Sequence, residues 1–223
     1  MRIGGFVKSS LVDYPGRVSA VVFTQGCNFR CPYCHNKELV IPSCYKESLP
    51  EQDVLRFLEK RKDILQGVVV TGGEPLLQQD LPSFLQKIKD IGYLIKLDTN
   101  GSYPDKLKGL LEAGLVDFIA MDVKAPLEKY SDLAGVEVDT QAIEKSIKII
   151  LNSGVDYLFR TTIVRPLFEE GDFEKILSLI KGSRSYVLQN FVPQDSVLDS
   201  SLLDQRHYSD EEYEEIKSRW QKG

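Results

Sequence analysis

Phe23-Thr24-Gln25-Gly26-Cys27-Asn28-Phe29-Arg30-Cys31-Pro32-Tyr33-Cys34-His35-Asn36 closes an apolar run, residues 19–24, with a loop that holds three of the four cysteines. The run has the length and the β-branched and aromatic content of a buried strand. The loop is polar at Asn28 and Arg30 and stiffened at Pro32, so the thiols sit at a strand's C-terminal end and not inside a core. The same arrangement recurs downstream. Gly72-Gly73-Glu74-Pro75 follows an expected strand at 67–71, Asp98-Thr99-Asn100-Gly101 closes one at 94–98, and Asp122-Val123-Lys124 closes one at 116–122. Two further strands are expected at 157–164 and 185–191.

Helical stripes separate these runs: Val54, Phe57, Leu58 and Ile64; then Leu81, Phe84, Leu85 and Ile88; then Ile143, Ile147, Ile150 and Leu151. Each stripe would cover one face of a sheet. Six strand-then-helix units of this kind predict an α/β fold with a largely parallel sheet. In a barrel of such units the strand-to-helix loops open on one face, so four separate polar motifs would converge on a single pocket. A lone Gly-Gly or Asn-Gly is an ordinary turn; four such motifs at successive strand ends are not explained that way.

Outside the units, residues 5–10 read as an extended run and Asp13-Tyr14-Pro15-Gly16 as a turn. At the other end a helix is expected from Ser209, with Glu212 at the capping-box position and Tyr213, Ile216 and Trp220 on its apolar side. The acidic residues Asp210, Glu211, Glu212, Glu214 and Glu215 read as a solvated face near that helix start. With no repeat and no linker, one domain is expected over 1–223: a core at about 17–191, an N-terminal extension at 1–16, and a tail with a helix at 192–223.

The chain has 223 residues, and 28 Lys and Arg against 33 Asp and Glu give a net charge of -5. That balance argues against unspecific nucleic-acid binding. No apolar run reaches the roughly 20 residues a membrane helix needs, and a reducing cytoplasm is the expected location. In that compartment clustered thiols bind metal or do redox chemistry more often than they form disulfides.

The spacing C-x3-C-x2-C over Cys27, Cys31 and Cys34 lets one short loop bring three sulfurs around one centre. Iron-sulfur cubes usually take four thiolates, so three leave an iron able to bind a small molecule. Other readings remain. Cys31-Pro32-Tyr33-Cys34 matches a glutaredoxin dithiol, which leaves Cys27 without a role. Cys31 to Cys34 followed by His35 matches haem attachment, for which no export signal is present. Zinc held by the three cysteines with His35 or Cys44 is a third reading, although His35 adjoins its neighbouring ligand awkwardly.

The cysteine loop with Tyr33 before its last thiol, the Gly72-Gly73-Glu74-Pro75 segment and the six units together resemble the radical S-adenosylmethionine (SAM) enzymes. Ser10-Leu11-Val12-Asp13-Tyr14-Pro15-Gly16, with Phe23 to Asn36, is similar to the activating proteins of anaerobic ribonucleoside-triphosphate reductase. The resemblance implies a partial (β/α)6 TIM-like barrel holding one 4Fe-4S cluster on Cys27, Cys31 and Cys34, with SAM on the remaining iron. No side chain is implied as a catalytic group, since cluster and SAM carry the radical chemistry. Cys44 alone cannot hold a second cluster.

Roles for further residues follow from that resemblance. Tyr33 belongs to the cofactor-binding set. Gly72 and Gly73 would let backbone approach SAM, and Glu74 would accept a hydrogen bond from its amino group. Asp98, Thr99 and Asp122, with Asn100 beside them, resemble positions that line a monovalent cation in pyruvate formate-lyase activators. Lys124 and Arg160 would neutralise the SAM carboxylate, Arg160 being favoured over Arg165 because a charge within a strand needs an internal partner. Phe191 sits where the family packs adenine, and the sequence departs from the pyruvate formate-lyase type there, with Val192 where a histidine is offered.

The implied activity is radical formation on a glycine of a partner, anaerobic ribonucleotide reductase first among glycyl-radical enzymes, with flavodoxin or ferredoxin as electron donor. Two alternatives belong beside it: a radical SAM enzyme acting on a small molecule, as 7-carboxy-7-deazaguanine synthases do, and a non-catalytic metal-binding interaction protein.

Overall fold

In the computed structural model, which describes residues 1–221, one sheet of seven strands runs in chain order. The elements are β1 (Ile3–Tyr14), β2 (Arg17–Thr24), α1 (Lys37–Val40), α2 (Glu51–Arg61), β3 (Gly67–Gly72), α3 (Leu81–Ile91), β4 (Leu94–Thr99) and α4 (Pro104–Glu112). Then follow β5 (Phe118–Asp122), α5 (Tyr130–Ala134), α6 (Thr140–Leu151), β6 (Asp156–Ile163), α7 (Glu170–Leu179), β7 (Tyr186–Asn190) and α8 (Asp210–Trp220). From β2 to β7 every neighbouring pair is parallel. β1 is antiparallel to β2, and β1 and β7 are the two ends of the strand order. The sheet is therefore an open part of a barrel, as the strand-then-helix pattern predicts.

The extension expected at the N-terminus is a full 12-residue strand joined to β2 by the turn at Pro15 and Gly16. Val68, Val69 and Val70 in β3 are all fully buried because both sides of this parallel sheet are covered. Ala20, Val22, Val68 and Val70 pack with the helices, whereas Tyr14, Val21 and Val69 form a second cluster with Phe23, Leu94 and Phe118 partly buried against it. The Tyr14 ring lies 5.8 Å from that of Phe118.

Leu81, Phe84, Leu85 and Ile88 are buried along α3, which starts with Pro82 in its first turn and ends on Gly92 in the left-handed conformation. Ile64, expected on the preceding stripe, lies beyond the end of α2 and is 60% exposed. α8 starts at Ser209 with the predicted capping box to Glu212. Tyr213, Ile216 and Trp220 pack partly buried against the core. Glu212 is not simply solvated: its carboxylate pairs with Arg165 at 2.5 Å and Arg206 at 2.9 Å.

Candidate functional site

The cysteine loop leaves β2 and is folded back on itself by Arg30. Its guanidinium donates to the carbonyls of Cys27 and Phe29, both at 2.7 Å, while its own backbone N–H reaches the carbonyl of Ala134 at 2.7 Å. Asn28 ties the loop to the end of β4: its amide donates to Ser102 at 2.9 Å, and its oxygen accepts from Asn100 at 3.0 Å. The stretch after β7 lies across the other side, with Leu198 and Asp199 donating backbone N–H groups to the carbonyls of Cys34 and Pro32, each at 2.9 Å. Residues that read as an irregular tail thus brace the thiols.

Cys27, Cys31 and Cys34 are not joined in disulfides and line one cavity of about 200 Å³. Burial pushes the Cys27 thiol up to about 12 and raises that of Cys31, so neither ionises at neutral pH unless a metal takes the proton's place. The Cys27 sulfur accepts the backbone N–H of Phe29 at 3.4 Å. Among the described residues, no three His, Cys, Asp or Glu side chains converge closely enough to hold a single metal ion. A multi-iron centre, with each thiolate on its own iron, does not require that convergence. His35, the fourth ligand of the zinc reading, turns Nε2 to the carbonyl of Val192 at 2.8 Å. Cys44 is not part of the cavity lining.

Tyr33, Gly72, Gly73, Asp98, Thr99, Asn100, Asp122, Lys124 and Arg160 line the same cavity. Strand register explains the charged group: Asp122 on β5 is directly opposite Arg160 on β6. Arg160 donates from Nε to Asp122 at 2.9 Å and from Nη1 to Asp98 at 3.2 Å, so one guanidinium bridges two strands' carboxylates. Lys124 reaches the other oxygen of Asp122 at 3.0 Å, and Lys96 bonds Asp98. Burial alone would raise the Asp122 carboxyl, but Arg160 and Lys124 outweigh it and hold it far below the usual range. Burial opposes charge on Lys124 too, and Asp122 overcomes it, leaving the ammonium strongly protonated.

Two expected contacts sit elsewhere. Glu74 is fully buried outside the lining, and its carboxylate accepts from Leu76 N–H at 3.0 Å, Thr99 hydroxyl at 2.9 Å and Asn100 N–H at 2.7 Å. Desolvation raises it to about 7 against those three donors. With its oxygens committed to protein donors, Glu74 joins the loops after β3 and β4 instead of facing the cavity. Phe191 is also outside the lining, buried with its ring 5.2 Å from His35, stacked, and 5.2 Å from His207. Phe191 is thus separated from the cavity by His35, which lines it.

The two glycines answer a closer constraint than ligand approach. Gly72 has φ of 115°, and a Cβ on Gly73 would lie 2.0 Å from the carbonyl oxygen of Gly26. Gly73 N–H donates to Thr24 and Glu74 N–H to Gly26, clamping this turn on the start of the cysteine loop.

Phe29, Val40, Thr71 and Thr162 complete much of the lining without a motif to announce them. Lys96 had a signal: it stands two residues before Asp98, the spacing that puts Lys124 on the same side as Asp122. Tyr33 lines the cavity, and its buried hydroxyl has no hydrogen-bond partner among the described residues. Arg165 lies outside, over the Tyr208 ring and paired with Glu212.

A family model described as the radical SAM superfamily matches residues 21–180. A Methanocaldococcus jannaschii protein with the provisional name glycyl-radical enzyme activating enzyme is 32% identical over 199 residues, 87% of this chain and 81% of that one. The pyruvate formate-lyase-activating enzyme of Clostridium pasteurianum is 30% identical over 199 residues, covering 86% and 81%. In fold, the crystal structure of Streptococcus suis SuiB bound to S-adenosylmethionine matches with a TM-score of 0.69 at 15% identity. The match covers 89% of this chain and 45% of SuiB, so the chain spans less than half of that structure. No helix among the described residues is long and apolar enough to cross a membrane.

Proposed function

The chain belongs to the radical SAM superfamily, an enzyme family that uses a 4Fe-4S cluster and SAM, and on that premise we propose that it activates a glycyl-radical enzyme. What carries the proposal is that two relatives named as activating enzymes each align with more than four-fifths of this chain. The partner we infer is anaerobic ribonucleoside-triphosphate reductase, from the similarity of residues 10–16 and 23–36 to its activators, with flavodoxin or ferredoxin as the electron donor.

Cys27, Cys31 and Cys34 would hold the cluster. Their fit rests on three thiols sharing one cavity lining, with a backbone N–H already directed at the Cys27 sulfur. The chemistry supplied by a bound cluster and SAM is one-electron cleavage of a carbon–sulfur bond, giving methionine and a radical that takes a hydrogen atom from glycine. The fit to SAM rests on the cavity's charged donors. Arg160 and Lys124, which line the cavity, keep N–H donors beyond those spent on Asp98 and Asp122, which suits an amino-acid carboxylate.

Each remaining residue acts on geometry or on water. Arg160 fixes the positions of both aspartates and keeps donors to spare, since a guanidinium has five N–H groups. Tyr130 accepts the Lys124 backbone N–H at 3.3 Å and so fixes where that ammonium emerges. Phe29 and Val40 make part of the wall apolar, which limits the water available to quench a radical.

Anaerobic reconstitution tests the reading. Expected are an iron-loaded protein that cleaves SAM on reduction and a glycyl doublet in electron paramagnetic resonance when the reductase is added. SAM cleavage with no doublet on an otherwise activatable reductase would reject this partner and return attention to a small-molecule substrate. No cleavage by iron-loaded, reduced protein would reject the enzyme reading itself.

A further inference from the structure

Asp98 and Asp122 are two of the three residues that the resemblance to pyruvate formate-lyase activators assigns to a monovalent cation. In this chain all four of their carboxylate oxygens already meet a cationic side chain. Lys96 holds Oδ1 of Asp98 and Arg160 its Oδ2; Arg160 holds Oδ1 of Asp122 and Lys124 its Oδ2. Three cations face two carboxylates, so the cluster carries one excess positive charge. Lys96 is 3% exposed and Asp98 9%, so this charge is poorly screened by solvent. A further cation beside that excess would be repelled, and it would find no carboxylate oxygen without a competitor. The residues present do not fit an alkali ion.

We propose that protein-borne charge replaces the alkali cation in this chain, with Lys96 as the positioning residue that makes the replacement possible. Lys96 occupies the Asp98 oxygen that Arg160 leaves, and it supplies the charge that takes the cluster from neutral to positive. A carboxylate entering the cavity then meets spare N–H donors on Arg160 and Lys124 directly. The inference rests on the SAM reading of the cavity only for the ligand; the exclusion of the cation stands on the charge cluster alone.

Two measurements test it. SAM affinity of the reconstituted protein is determined in choline, sodium and potassium chloride at equal ionic strength, where agreement within about twofold is expected. Weakening of about fivefold or more in choline, restored by sodium or potassium, would overturn the proposal. Sodium NMR relaxation on the apo protein, which needs no SAM, should reveal no saturable site; one that disappears in Asp98→Asn would equally overturn it. In Lys96→Gln, which frees an Asp98 oxygen and neutralises the cluster, SAM affinity should become alkali-dependent by about fivefold, and the sodium site should appear. A folded variant that responds like wild type removes Lys96 from the argument. Should that variant not fold, the two wild-type measurements still decide. Iron-loaded protein that binds SAM in no buffer sinks the SAM reading, and the sodium titration then judges the charge replacement by itself.

Discussion

Glu74 accepts the backbone N–H of Asn100 at 2.7 Å, so a fully buried carboxylate from the end of β3 holds the loop that leaves β4. The same side chain bonds Thr99, whose hydroxyl in turn accepts from Gly101, and Asn100 bonds the cysteine loop through Asn28. Three strand ends are thereby locked together at the edge of the cavity that Thr99 and Asn100 line.

Glu74 makes the stability of the fold depend on pH. Its carboxyl rises from 4.5 to about 7 because of burial, so the native state holds a proton that the unfolded chain has lost. Stability therefore falls as pH rises from about 4.5 through about 7, by on the order of 3 kcal/mol from this group. Glu74→Gln does not titrate, so the stability of wild type relative to the variant should decline across that window and level off above it in denaturant melts. A difference that stays flat across the window would mean the carboxylate is ionised throughout.

Arg160→Met leaves two buried carboxylates short of their bridging partner. A loss on the order of 3–5 kcal/mol in unfolding free energy is expected. Adding Asp122→Asn should return part of that loss, because one of the uncompensated charges goes with it. Strict additivity of the two substitutions would show that Arg160 acts through packing alone.

Arg30→Met removes two charge-assisted bonds that close the cysteine loop. The expected cost is about 1.5–3 kcal/mol per bond at most, with loss to solvent exchange reducing it. The more telling readout is iron: after reconstitution, a chelator should strip the variant faster than wild type. Equal rates at unequal stability would place the effect elsewhere in the fold.

Cys44 and Cys31 should behave oppositely. Cys31 is buried on the cavity wall, while Cys44 ends a short turn outside it. Cys31→Ala is expected to abolish iron loading and Cys44→Ala to leave it intact, as measured by metal analysis on oxygen-free preparations. Matching losses would make Cys44 a ligand.

The pattern at the strand ends was readable because each motif is local. Three cysteines in a polar loop, paired glycines after a valine run and an Asp two residues before a Lys all keep their meaning whatever the neighbours are. Period-two spacing was enough to put Lys124 beside Asp122, and the Ser209 and Glu212 capping box needed only four residues. The family followed from such segments.

Other facts depend on which strands lie side by side and in what register. Arg160 bridges Asp98 and Asp122 because β6 is in register with β5 at Asp122 and β4 lies one strand further on, a relation that spans 62 residues. The turn that carries Glu74 packs against Gly26 and buries the carboxylate among donors from Leu76, Thr99 and Asn100. His35 stacks on Phe191 from 156 positions away in the chain. The sequence by itself determined the chemistry each strand end carries, since that is written in residue type and short spacing. Only the tertiary structure decided which charges neutralise one another and which groups are left facing the cavity, because Coulomb energy and burial depend on distances between segments far apart in the chain.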